Sequence, residues 1–218
     1  MDPARNAEVA MKRSAGWTAA ITLAMGMTGL AQQPEAQPAL TVCLTISDGL
    51  MMDVSLKAAV LSEVNRVWQP LGVAVTERIE SNGTCDRPIL VKSDREARPE
   101  DGGGETSIAW VSFVAGRARQ LVFVRMSRAR MLIDAFSPAR SGIRPPGLTE
   151  QLLAKLLGRS LAHELGHILL NSLGHERSGL MRARYDAHDM LRDIPSDYTL
   201  NPAQRERLFA PSLTLAQK

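Results

Sequence analysis

Residues 163–167 read His-Glu-Leu-Gly-His. Successive helical residues turn by about 100°, so side chains four apart lie roughly 40° from one another on one face. Two imidazoles placed in this way can reach a single Zn²⁺ at about 2.0–2.1 Å. Glu164 stands beside them, where a carboxylate can take a proton from a metal-activated water and hand it onward. H-E-x-x-H is therefore a spacing with a mechanism attached. The chain has 4 histidines, and His163, His167 and His175 crowd into one short stretch.

A catalytic zinc keeps three protein ligands and an open position. His175 is the leading candidate for the third ligand. Asn171 and Gly174 are residues able to adopt left-handed backbone angles, end the helix and return His175 toward its partners. Other third ligands stay open: Glu176 or Glu206, the aspartates Asp186, Asp189 and Asp193, and His188. Met181, in Gly179-Leu180-Met181, reads either as an ordinary core methionine or as part of a turn under the site.

The whole run from His163 to Met181 resembles the metzincin zinc peptidases of the matrixin and archaemetzincin type. The resemblance implies Zn²⁺ held by His163, His167 and His175, with Met181 in a Met-turn and Glu164 as general base and acid. Tyr185 would be a possible aid to the developing oxyanion, as tyrosines near the turn are in some relatives. The fold implied is α+β: a twisted mixed sheet of four or five strands, an upper helix, an active-site helix and an irregular C-terminal subdomain. The substrate implied is a peptide or protein lying extended against an edge strand, with 108–114 or its neighbour as the candidate. One departure stands out. Where the family has Gly and its third His, this chain has Leu170 and Leu173, and His175 follows two residues later. The helix must run further, or its closing turn must be wider.

The elements that must position these residues can be read from periodicity. Residues 40–46 form a β-rich run. Asp53 can cap a helix carrying Val60, Leu61, Val64, Val67 and Trp68, stopped by Pro70-Leu71-Gly72. Val73, Val75 and Ile79 alternate as in a half-buried strand, and 89–91 is a short strand. Residues 95–105, with Pro99 and three glycines, read as a loop. Runs 108–114 and 121–126 look like adjacent strands separated by 116–119. Residues 131–148, with Pro138, Pro145 and Pro146, read as a long connection. Thr149 is then expected to cap the motif helix, and Asn201-Pro202 to open a short last helix over 203–209. The order of elements suggests a helix-on-sheet α/β or α+β layer arrangement.

The chain has 218 residues, which suits one domain plus a targeting segment. Lys12 and Arg13 precede an uncharged stretch, 14–31, that ends Gly29-Leu30-Ala31. This is the form of a secretory signal over 1–31, with translation starting at Met1 or Met11. An extended tail (32–39) and one domain (40–218) would follow. An uncleaved signal would be the only route to a membrane anchor. Removing it takes three cations and two anions from a net charge of +3, leaving no polyelectrolyte. Arginines are spread along the chain without aromatic interleaving, which argues against a nucleic-acid partner. Cys43 and Cys85 are the 2 cysteines, and in an exported protein they read as one disulfide. Two functions fit: a secreted or periplasmic monomeric zinc endopeptidase, or a non-catalytic exported zinc-containing binding domain.

Overall fold

The computed structural model describes residues 39–78, 85–136, 147–192 and 198–210. These belong to one compact unit of the chain, Ala36–Lys218. Residues 1–31, read above as a signal, and nearly all of the expected tail lie outside the described residues, as do Ile79, Pro138, Pro145, Pro146 and Asp193.

Five strands, β1 (Leu40–Ile46), β2 (Val73–Glu77), β3 (Arg87–Ser93), β4 (Ala109–Val114) and β5 (Arg117–Val124), form one mixed sheet in the order β2-β1-β3-β5-β4. Four strands run parallel, and β4 lies antiparallel to β5 at the edge. The class expected from sequence, α+β with a mixed sheet of four or five strands, is the class observed, with five strands in the sheet.

Alternation sorts the side chains between faces. Val42, Leu44, Ile46, Val73, Val75, Ile89, Val91, Val111, Val122 and Val124 join the main core. Against that face pack α1 (Val54–Trp68) and α3 (Leu148–Leu169). Trp110, Leu121 and Phe123 form a second cluster with Leu90 and Ala97. Asp53 caps α1 by accepting from the Leu56 N–H at 2.7 Å, as its position before the apolar period implies. Gly72, at φ 78, closes the turn after α1.

Three expectations need correction. Residues 131–136 are not connection but the second half of a helix, α2 (Met126–Phe136). Only Ala129 and Ile133 of α2 are fully buried, so its helical period is too faint to outweigh the prolines downstream. The hairpin between β4 and β5 turns on Ala115 and Gly116 alone, both at positive φ (50 and 74). Arg117, Ala118 and Arg119 therefore belong to β5 rather than to a loop. The motif helix starts at Leu148 after Gly147 at φ 78, so Thr149 lies inside its first turn and does not cap it.

Two shorter helices, α4 (Ala187–Leu191) and α5 (Pro202–Phe209), complete the fold, and Asn201 caps α5 through a reciprocal capping box with Gln204. No helix among the described residues is long and apolar enough to cross a membrane.

Cys43 on β1 and Cys85 before β3 are joined, with 42 residues of separation and Cα atoms 5.9 Å apart. Closing a loop of that length restricts the unfolded chain by about 4 kcal/mol. A Cys43→Ser, Cys85→Ser double variant should lose up to that amount in urea unfolding. An unaltered midpoint would deny the bridge a stabilising role.

Candidate metal centre

α3 is 22 residues long, and its C-terminal half carries His163, Glu164 and His167. Three contacts fix the helix against α1 and α4. The Trp68 indole of α1 donates to the Ala162 carbonyl at 3.1 Å. Gly158 lets α1 approach so closely that a Cβ there would overlap Glu63. Arg159, fully buried, donates from Nε to Glu63 at 2.6 Å and from Nη1 to the Met190 and Arg192 carbonyls at 2.7 and 2.6 Å. Removing one partner of such a buried pair leaves the other charge uncompensated.

The helix ends where the spacing of the histidines requires. Asn171 adopts φ 44, the Asn171 N–H donates to the Ile168 carbonyl, and the Ser172 N–H to the His167 carbonyl, each at 3.1 Å. This is a Schellman closure with asparagine in the left-handed position. The Ala118 N–H, donating to Asn171 Oδ1 at 3.0 Å, ties the end to the β4–β5 hairpin. Asn171 thus ends the helix as expected. Gly174 does not take a left-handed conformation. His175 lies four residues beyond this closure.

The reversal brings His175 back to the helix. One ring nitrogen from each of His163, His167 and His175 lies within 4.8 Å of the others. The His175 ring stacks on His163 at 5.4 Å and meets His167 edge-on at 4.8 Å. A closed loop holds it there. The Glu176 N–H donates to the Met181 carbonyl at 2.7 Å, and the Ala183 N–H to the Glu176 carbonyl at 3.3 Å.

The tautomers follow from the hydrogen bonds. His163 Nδ1 faces the Leu180 carbonyl at 2.7 Å, and His167 Nδ1 faces the Ser172 carbonyl at 2.6 Å. Carbonyls only accept, so both Nδ1 atoms must carry the proton. Burial pushes the His163 pKa down to about 4, against the pull of the Leu180 carbonyl. It also lowers that of His167. At neutral pH both rings are neutral, and each Nε2 presents a lone pair. These two lone pairs meet at 3.1 Å, an arrangement that repels unless a cation lies between them. The residues therefore fit a metal ion, and three imidazoles suit the divalent transition metals that favour nitrogen ligands, zinc, copper, iron and nickel.

Glu164 is buried to 9 % relative exposure at the floor of the adjoining cleft. Burial raises its carboxyl to about 8, while the Val111 N–H of edge strand β4 pulls it down. The cleft is about 380 Å³, and its lining includes Phe113, Ser160, Leu173, Arg182, Tyr185 and Met190. The Phe113 ring abuts His167 edge-on at 6.3 Å.

Met181 is buried beneath the motif, where a Cβ on Gly166 would overlap its sulfur. Gly179, at φ 79, opens the turn, and the Leu180 N–H donates to the Thr199 carbonyl at 2.8 Å. The Tyr185 hydroxyl contacts the Gly179 and Leu180 carbonyls at 2.5 and 3.0 Å.

Among the described residues, the alternative ligands are not part of the three-histidine group. Asp186, Asp189 and His188 form a group of their own. Asp186 caps α4 and Asp189 pairs with Arg182 at 2.6 Å. Glu176 accepts from Asn201 and Gln204, and Glu206 is exposed on α5. Sequence reasoning missed the carbonyls of Ser172 and Leu180, the Val111 N–H and Arg182. The first three are backbone groups, which no residue type announces.

No family model matches the chain, and no curated protein matches it. Among solved structures, the crystal structure of archaemetzincin from Methanopyrus kandleri is similar to this chain at 19% sequence identity and a TM-score of 0.42, covering 82% of this chain and 97% of that one.

Proposed function

We propose that this chain is an exported, monomeric zinc-dependent endopeptidase acting on peptides or proteins. The observation that carries the proposal is the pair of Nε2 lone pairs held 3.1 Å apart, with His175 beside them. His163, His167 and His175 would hold the ion. Among the described residues their group has three members, which leaves the open position of a catalytic site rather than the closed set of a structural one. The disulfide suits the oxidising compartment to which a signal over 1–31 would direct the chain.

Zinc, when bound, supplies Lewis-acid polarisation of the scissile carbonyl and acidifies a water. The remaining steps belong to the protein. Glu164, oriented by the Val111 N–H, takes the attacking water's proton and delivers it to the leaving amine. β4 is an edge strand lining the cleft, so an extended peptide can lie along it by strand addition.

Elemental analysis should find one zinc per chain, and a chelator should abolish cleavage of a peptide library, with zinc restoring it. A folded protein that takes up no zinc, or cleavage indifferent to chelation, would overturn the proposal.

A further inference from the structure

Tyr185 lines the cleft with its hydroxyl engaged by the backbone of the turn. Its hydroxyl spans the Gly179 and Leu180 carbonyls at 2.5 and 3.0 Å. The Leu180 carbonyl is the acceptor for His163 Nδ1 at 2.7 Å. The Tyr185 hydroxyl and the His163 Nδ1–H thus share one acceptor, the Leu180 carbonyl, which joins Tyr185 to the ring whose Nε2 faces the site. The ring is held as firmly. Tyr185 stacks on Tyr198 with centroids 5.6 Å apart and planes 5° from parallel. The Arg182 guanidinium lies 4.2 Å from the Tyr185 centroid, and that of Arg159 lies 4.7 Å from the Tyr198 centroid. This run of contacts links the buried Arg159–Glu63 pair on the helices to the rim of the cleft. Cation–π and aromatic stacking of this kind fixes orientation as well as adding stability.

We infer that Tyr185 is a positioning residue for the metal centre, orienting the Leu180 carbonyl and through it the His163 ring. It deepens the zinc-site reading and rests on it. Outer partners of ligand histidines govern metal affinity by about 10- to 100-fold. Tyr185 stands one bond further out, so its effect belongs at the lower end of that range. Its hydroxyl is engaged with the turn, where it braces carbonyls, rather than turned to an oxyanion.

Tyr185→Phe keeps the ring and removes only the hydroxyl. It strands neither carbonyl. Leu180 still accepts from His163, and Gly179 still accepts from the Arg182 N–H at 3.2 Å, so the variant should fold. Zinc affinity, measured by competition with a chromophoric chelator, should fall by about tenfold, with the melting temperature of the zinc-stripped protein unmoved. An affinity equal to wild type overturns the inference, as does a weakening matched by an equal loss in the zinc-stripped protein, which would mark a merely structural tyrosine. Wild-type protein that binds no zinc overturns the metal reading itself, a separate result.

Discussion

Glu164→Gln is expected to lower kcat for peptide cleavage by about 10²- to 10⁴-fold, the usual range for a lost general base. Zinc content should stay at wild type, because Glu164 is not among the clustered ligand atoms. Stability should not fall either. Glutamine fills the same volume, and its amide oxygen can still accept from Val111. Burial holds the carboxyl near 8 in the absence of metal, so the folded protein without zinc binds a proton there that the unfolded chain releases near pH 4.5. Stability from this group is full below pH 4.5 and is lost as pH rises through about 8. His163, depressed to about 4, acts the other way: its stability is present above about 6.5 and lost as pH falls toward 4. In chelator-treated protein, the Gln variant should therefore gain on wild type with increasing pH up to about 8. Unchanged cleavage by the Gln variant would remove Glu164 from the mechanism.

Much of this site was legible because its chemistry resides in residue types. Two histidines four apart need only a helix to share a face, and leucines at helical spacing around them made that helix plain. His175 was legible as a candidate but not as a neighbour. Its return depends on Asn171 closing the helix and on Glu176 bridging back to Met181, and both are backbone events. Tyr185 shows the converse. The resemblance implied a possible oxyanion aid, and in the structure its hydroxyl contacts the Gly179 and Leu180 carbonyls.

In the fold, strands and helices with strong periodicity emerged where expected, and the errors fell at weak or compensated signals. α2 contributes only two fully buried residues to the core, so prolines dominated the reading of that stretch. The Ala115-Gly116 turn needs positive φ at an alanine, which propensity disfavours. A tight hairpin tolerates it because its twist matches that of the strands. Arg159 was invisible for a different reason. An arginine on an apolar helix face reads as a solvated charge until Glu63 and the carbonyls of Met190 and Arg192 converge on it.

His175→Ala is expected to separate ligand from bystander. Losing a direct ligand should cost more zinc affinity than losing an outer partner, at least about 100-fold. At free zinc 100 times the wild-type dissociation constant, binding stabilises the wild type by about 2.7 kcal/mol. With a 100-fold weaker site the same zinc stabilises by only about 0.4 kcal/mol. Without zinc the two proteins should melt together, because the His175 side chain is exposed and its loop is pinned by the backbone of Glu176, Met181 and Ala183. His167→Ala should behave differently, losing stability even without zinc. That ring is buried, and its Nδ1 answers the Ser172 carbonyl at the helix closure. Full zinc stabilisation retained in His175→Ala would mean that His163 and His167 hold the ion without it, and the third ligand would then have to come from elsewhere in the chain.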